Sequence, residues 1–431
     1  MKKEIIIIGA GASGLMTALE LAIAGKETLI LEARGRIGGR IWPLPIDEFG
    51  YKAQGGAEFV HGEARVTKSL LHRAGLTLLP MDGEVWSLRG NQLTKSVGGP
   101  TNDPAFLAHK GRLHEKLLAL TEDISIAQFL ERNFKEDKYI GLRDWIRKMV
   151  EGYDAADPHS ISTFALREEW LSGEEWQQGR IKEGYGALLD FLETECRKNG
   201  VEIRLNQEVE TIQADPSGIH VGCIGGSGFD AQKVVVTLPL PTLNRIRYNP
   251  AIPEKMTAAS QIGFGKVIKF LLRFKDEWWR HALGQDLSKM MFVLCNGTIT
   301  TWWTQYPESY PVLTGWLPGT VTEKFKNSSP KEMLELAIKS LADTFKVRED
   351  LIQTQLIGSK IINWPADPLA QGAYSYITPE TKEARKELAE PVHNQIFFAG
   401  EALHSGKDSS TVEGALASGK ETAEAILNLS R

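Results

Sequence analysis

KEIIIIGAGASGLMTALELAIAGKETLILEARGRIGGR, residues Lys3 to Arg40, is the stretch whose reading decides the fold. Four consecutive isoleucines, Ile5 to Ile8, predict a strand buried on both faces, and they run directly into Gly9, Gly11 and Gly14 in the spacing G-x-G-x-x-G. Leu15 to Ala24 is built of Leu, Met and Ala with one Glu, which suits a helix packed on a sheet, and Gly25 stops it. A second strand, Glu27 to Leu31, ends on Glu32. Strand, glycine motif, helix, strand and acid in one register describe a dinucleotide-binding βαβ unit rather than a glycine-rich turn in an ordinary α/β domain. Gly9 permits the tight turn, Gly11 lets backbone amides approach a pyrophosphate at the helix start, and Gly14 lets helix and strand pack closely. Glu32 offers a carboxylate to ribose hydroxyls, which disfavours a 2'-phosphate and so NADP.

Composition bounds the rest. A chain of 431 residues is too long for one small core, and two domains are expected. Fifty Lys and Arg against 55 Asp and Glu leave a net charge of -5 with no basic tract, which argues against nucleic acid as a partner. Cys196, Cys223 and Cys295 are too scattered for a disulfide framework or a metal cluster, and the nine histidines show no paired ligand spacing, so no metal is expected. Lys2 and Lys3 before an apolar run imitate a signal peptide, but that run flows into a helix the fold needs. No stretch reaches the roughly 18 apolar residues of a membrane span. A cytoplasmic protein without a membrane anchor is the expectation.

After Glu32, Ala33 and Arg34 lead to Gly38, Gly39 and Arg40, where a nicotinamide-dependent dehydrogenase would enter its next crossover helix. Two glycines give a second close backbone approach, and Arg40 supplies a guanidinium fork that reaches a phosphate bidentately. The run reads either as a basic surface loop or as the cradle of a cofactor longer than NAD. Glu32-Ala33-Arg34 through Arg40, with Gln54-Gly55-Gly56-Ala57-Glu58-Phe59-Val60-His61-Gly62, resembles the signature of the FAD-containing amine oxidases, the family of monoamine and polyamine oxidases and their histone-demethylating members. The resemblance places Gly56, Ala57, Glu58 and Phe59 beside the flavin and matches His61 to a cavity histidine of animal-type polyamine oxidases. For His61 a hydrogen-bonded structural histidine stands as the alternative.

Along the rest of the chain, Arg65 to Ala74 reads as a helix and Leu76 to Pro80 as a short strand. Turn signals follow at Asp82-Gly83, Arg89-Gly90 and Gly98-Gly99-Pro100. Helical periodicity marks Arg112 to Leu120, Ile126 to Arg132, Ile140 to Tyr153 and Ser160 to Glu169 as the wall of a substrate domain. The chain then resembles a return to the FAD domain, where Val209 and Leu238 match cofactor-side positions; sheet core alone is the other reading of both. Gly265 to Phe274 is a strand with Lys269 in its middle. The spacing from Gly265 matches Lys269 to the family lysine that holds a water against flavin N5, the alternative being a surface lysine that snorkels to solvent. Trp302 and Trp303 alternate in direction, so at most one needs to face a cavity.

Near the C-terminus the resemblance resumes at Trp364 and at Gly372 to Tyr376. Ala373 stands where animal monoamine oxidases carry the cysteine bonded to the flavin, so FAD is expected to be held non-covalently. Tyr374 matches one aromatic wall of the substrate cage, and Thr411 replaces its tyrosine partner, so a complete cage is not expected. Gly400, Glu401, Thr411, Val412 and Ala415 match the stretch that brings the last helix's amino end to the flavin's N1 and O2 side, where helix-start amides oppose the negative charge of reduction. With Ser13 in the first motif, these complete the cofactor set that the resemblance implies.

The expectation is therefore an α/β protein of the amine oxidase fold. A discontinuous Rossmann-like FAD domain is assembled from 1–75, 181–243 and 361–431, and a mixed-sheet and helical substrate domain from 76–180 and 244–360. The implied reaction is oxidative deamination of a small amine: the flavin is reduced, the imine is hydrolysed, and molecular oxygen yields hydrogen peroxide. Lys269, Tyr374, His61 and Thr411 form the implied catalytic cavity. His61 and the C-terminal run favour a polyamine. A small primary or aromatic monoamine, or an L-amino acid held by a cavity arginine such as Arg273 or Arg167, are alternatives. So are a protoporphyrinogen oxidase or desaturase acting on carbon–carbon bonds, and an FAD-bound protein without catalysis. A monomer or a homodimer fits equally.

Overall fold

The computed structural model describes residues 2–89, 92–96, 103–171 and 178–429, so the turns expected at Gly90 and Gly98 to Pro100 lie outside the described residues. The strand Lys2–Ile8 lies at the middle of an eight-stranded sheet, parallel to Thr28–Leu31 on one side and to Gly228–Val236 on the other. Period-two alternation divides the four isoleucines. Ile5 and Ile7 enter a core with the helices Ala12–Ile23, Tyr185–Lys198 and Val412–Asn428, while Ile6 and Ile8 enter the opposite one with Val234, Val236 and Leu388. Glu202–Arg204 and Ile396–Phe398 add parallel strands, and Val209–Asp215 with Gly218–Cys223 form the antiparallel extension. Arg247–Asn249, from the stretch assigned to the second domain, pairs in parallel with Val209–Asp215 at the edge of this sheet.

A seven-stranded mixed sheet runs in the order Leu356–Asn363, Val267–Phe274, Val312–Pro318, Thr301–Trp303, Met290–Leu294, Glu84–Arg89, Gln92–Lys95. The helix Pro330–Phe345 covers one face through Met333, Ala337, Leu341 and Phe345, which pack with Ile268, Phe270 and Trp302. Ser329 and Glu332 close the start of that helix as a capping box.

Lys110–Leu118, Ile126–Asn133, Ile140–Gly152 and Thr163–Leu171 build the helical wall around Phe129, Leu142 and Ile146. The last of these begins three residues later than its periodicity predicts. Asp123 explains the shift, because its carboxylate accepts from Ser162 Oγ, Thr163 Oγ1 and the Phe164 amide, capping the helix from a distant segment. Phe59–His61, Gln178–Ile181 and Leu78–Pro80 form a three-stranded sheet, and Gly263–Gly265 pairs with Tyr374–Tyr376. Among the described residues no helix is long and apolar enough to cross a membrane, and no group of His, Cys, Asp or Glu is arranged to hold a metal.

Candidate active site

A cavity of about 2770 Å3 runs from the first glycine motif to the helical wall, lined at one end by Gly9, Gly11 and Glu32 and at the other by Tyr153, Glu169 and Tyr374. Its first part has the shape and chemistry a dinucleotide requires. Gly9 adopts φ 106°, and a side chain on Gly14 would sit 2.0 Å from the Gly9 carbonyl, so both must be glycine. At Gly11 a Cβ would meet nothing within 4 Å, which leaves an open approach beside a helix start that no side chain caps. Glu32 is buried and oriented by the amides of Ala10 and Arg34, each 2.8 Å from one of its oxygens. Ser13, Ala33, Arg34, Gly38, Gly39, Val209 and Leu238 complete this wall, whereas Gly14 acts from behind it.

Arg40 also lines the cavity, but its Nη1 is held by the Ala373 carbonyl and by Glu401 Oε1, each at 2.8 Å. The other oxygen of Glu401 accepts from Ser375 Oγ at 2.6 Å, and that hydroxyl lies 3.1 Å from Ser410 Oγ. Segments more than 300 residues apart in sequence thus converge on one buried carboxylate. Arg36, which the sequence reading left aside, donates to the carbonyls of Ile37, Gly39 and Ile41 and fixes the shape of the glycine loop.

The last helix reaches the cavity through Thr411, Val412 and Ala415, beside Gly400 and Trp364. Thr411 Oγ1 accepts from the Gly414 amide and donates to the Asp408 carbonyl, so it caps the helix. Glu413 would oppose an anion here. Instead it turns away to accept from the amides of Val66 and Thr67 and from the Thr67 hydroxyl, at 2.7 to 2.8 Å. Gly56, Ala57 and Phe59 line the middle of the cavity. Ala373 offers no nucleophile there, and Cys295, which also lines the cavity, is a thiol that burial pushes up to about 11.

Lys269 is 1 % exposed, which excludes the snorkelling reading. Its Nζ donates to Glu58 Oε2 at 2.8 Å and to the Gly56 carbonyl at 3.0 Å. Burial pushes the Glu58 carboxyl up, but the charges of Lys269 and Arg180 outweigh it and leave the group below the ordinary carboxylate range. Arg180 Nη2 reaches Glu58 Oε1 at 3.0 Å, and the Trp303 indole and the Gln305 amide donate to the same oxygen at 3.2 and 3.3 Å. Glu58 was assigned to the cofactor wall by its motif, and its residue does line the cavity, but its carboxylate serves as the anchor of Lys269. Trp303 faces this site while Trp302 packs into the sheet core, as the alternation requires.

Toward the Tyr153 and Tyr374 end of the cavity, burial lowers His61 to about 4, so its imidazole is neutral, and Nδ1 lies 3.3 Å from Gln178 Nε2. The Tyr374 hydroxyl donates to the Tyr153 carbonyl at 2.8 Å, and the Trp316 indole donates to the Gly152 carbonyl at 3.1 Å. These anchors hold the two rings 14° from parallel with centroids 6.5 Å apart. Thr411 supplies no ring opposite Tyr374; Trp316, paired across the sheet with Lys269, does. Asp154 and Glu169 line the same end. Burial, and repulsion by Glu169, push Asp154 well above the usual carboxylate range, and burial raises Glu169 to about 7. Of the two arginines considered for a carboxylate, Arg273 is tied to the Asp47 and Glu48 carbonyls and is not part of the cavity lining, whereas Arg167 lines it. Arg180, Trp316, Asp154 and Glu169 were not singled out in the sequence, because only the meeting of separate segments gives them a role.

Comparison with known proteins agrees with this geometry. A family model described as flavin containing amine oxidoreductase matches residues 12–427. Probable polyamine oxidase 4 of Arabidopsis thaliana is 26 % identical over 94 % of this chain and 83 % of its own length. Human lysine-specific histone demethylase 2 is 27 % identical over 98 % of the chain, which spans about half (53 %) of that protein. Wild-type putrescine oxidase, solved bound to putrescine, superposes with a TM-score of 0.81 at 20 % identity, covering 99 % of both chains.

Proposed function

The chain belongs to the flavin-containing amine oxidoreductase family, and from that membership we propose that the amine it oxidises with FAD is an aliphatic diamine or polyamine. FAD, held non-covalently, supplies the acceptor for the two electrons and the hydrogen that leave the carbon next to nitrogen. The chain's own residues bind, orient and exclude water. Trp316 and Tyr374 offer ring faces to the reacting amine and its neighbouring carbon, and neutral His61 gives a hydrogen-bonding group without a competing charge. Thr411 and the start of the last helix present amides toward developing negative charge. Molecular oxygen is the acceptor in this reading, with peroxide as its product.

The observation that carries the substrate class is the pair of carboxyl groups, Asp154 and Glu169, on the wall next to Tyr153 and Tyr374. A monoamine has no use for them. A diamine reacts through one neutral nitrogen while its distant ammonium requires a counter-charge out of bulk water, and a carboxyl pair that ionises when the cation arrives meets that need. Names among the similar proteins support the reading, since they include a polyamine oxidase and a putrescine oxidase. The test compares putrescine with butylamine by peroxide release and by anaerobic bleaching of the flavin. Putrescine is expected to exceed butylamine in kcat/KM by about tenfold or more, the worth of roughly 1.4 kcal/mol of charge pairing, with the margin lost in D154N. Equal turnover of the two amines would end the diamine reading and leave the monoamine one.

A further inference from the structure

We propose that Glu58 acts on the reaction through Lys269, holding that side chain as a fixed ammonium on the wall of the flavin cavity. The inference rests on the family's flavin site and is independent of which amine is oxidised.

The nearest neighbours of Lys269 along its strand are apolar, and the strand's other cation, Arg273, is four residues on and tied to the Asp47 and Glu48 carbonyls. Val267, Ile268, Phe270 and Leu271 are each at most 1 % exposed, and the flanking strands Val312–Pro318 and Leu356–Asn363 enclose it on both sides. An ammonium so placed sheds its proton unless an anion is in contact. Glu58 is that anion, and its hydrogen bonds require it to be ionised. Lys269, Arg180, Trp303 and Gln305 all donate to it, three of them to Oε1, which is the arrangement of an ionised carboxylate. The other groups facing the pair cannot replace it. Arg180 is a second cation, and the phenol of Tyr51 is pushed up by burial and by Glu58 and stays neutral. Burial pulls Lys269 below the ordinary ammonium range, Arg180 adds to this, and Glu58 is the group that pulls it back; with all three charged, two cations around one carboxylate leave a net positive charge beside the cavity. Two donors of Lys269 are engaged, by Glu58 and the Gly56 carbonyl, while Trp303, fixed by the same carboxylate, lies with its ring centroid 5.3 Å from Nζ.

Replacing Glu58 by glutamine reverses the balance. One end of the amide must then present a donor to groups that are all donors, and Lys269 faces Arg180 without a counter-charge. Arg180 keeps its proton, so Lys269 is the group that gives way.

The test uses the FAD-loaded enzyme without amine. The visible spectrum of the bound flavin is recorded from about pH 6 to about pH 9, a window in which ordinary Lys, Asp and Glu do not titrate. Ionisations such as that of Glu169 are common to every variant, and E58Q is expected to show one further ionisation that is absent from both the wild type and the K269M/E58Q double variant. With putrescine under anaerobic conditions, the bleaching rate of E58Q relative to wild type is expected to fall about tenfold or more across that window. An E58Q profile superimposable on the wild type, or an added ionisation that persists without Lys269, overturns the proposal. Should E58Q not accumulate, E58D answers in its place. One methylene shorter, its carboxylate retreats from Lys269, so a smaller shift in the same direction is expected, and a profile superimposable on wild type overturns the idea. A protein that shows the spectral shift but never bleaches with putrescine keeps this inference and loses the diamine reading.

Discussion

Trp316 and Tyr374 stand nearly parallel, their ring centroids 6.5 Å apart, each tied by its polar tip to one of two successive carbonyls, Gly152 and Tyr153. The two anchors separate the contributions of ring and hydrogen bond. Y374F keeps the ring and loses a hydrogen bond worth about 1 kcal/mol, so kcat/KM should fall by no more than about fivefold. W316L removes a ring face, worth roughly 1 to 2 kcal/mol to an amine, and should cost about five- to thirtyfold. Steady-state kinetics on one amine checks the order; W316L behaving better than Y374F would contradict a substrate role for Trp316.

His61 is expected to be silent in pH profiles. Burial lowers it to about 4, so above about pH 5 it carries no proton to lose, and any ionisation seen near neutrality belongs to another group. H61Q should therefore reduce kcat/KM by a constant factor from about pH 5.5 to about pH 9, with the shape of the curve unchanged. An inflection near the ordinary histidine value in the wild type, gone in H61Q, would show that the imidazole is charged in the working enzyme.

Asp154 and Glu169 predict the opposite behaviour, a pH dependence confined to substrates with two amines. Both carboxyls are raised, Asp154 by burial and by Glu169 and Glu169 to about 7 by burial, so they are largely protonated at low pH and Glu169 ionises as the pH rises through neutrality. The distant ammonium of putrescine stays charged until about pH 10, so its attraction to the pair strengthens over the range in which the carboxyls ionise. Butylamine shares the requirement for a neutral reacting nitrogen but not this attraction. The ratio of the two kcat/KM values should accordingly climb between about pH 5.5 and about pH 7.5 and then level, and the climb should vanish in D154N/E169Q.

How much of this was legible in the sequence follows from the range of the interactions. The nucleotide end is written locally, because a turn, a helix start and a terminal acid lie within Gly9 to Glu32, and the structure keeps that order. Lys269 was legible as a cation in the middle of a strand, but its burial was not, since the covering carboxylate comes from residue 58. The substrate end was the least legible. Trp316 was passed over because a strand tryptophan is ordinarily core, and it becomes a cavity wall only through its pairing register with Lys269. Asp154 follows a helix end and reads as a solvated turn residue until Glu169, on another helix, is brought beside it.

The Lys269–Glu58 pair also makes a stability prediction that separates its cost from its purpose. Removing one partner of a buried ion pair leaves a charge without compensation, typically a loss of about 3 to 5 kcal/mol, whereas removing both is far milder. K269M leaves Glu58 still held by Arg180, Trp303 and Gln305, so its loss should fall at the lower end, near about 3 kcal/mol. E58Q leaves Arg180 and Lys269 with no counter-charge between them and adds the cost of driving the proton off Lys269, so it should lose more. In the K269M/E58Q double variant Arg180 alone remains charged, and the combined loss should be smaller than the sum of the single losses by about 1 to 3 kcal/mol. Denaturant unfolding of the FAD-loaded proteins measures the difference. Strict additivity would mean that the two side chains do not sense each other's charge, despite the 2.8 Å between them.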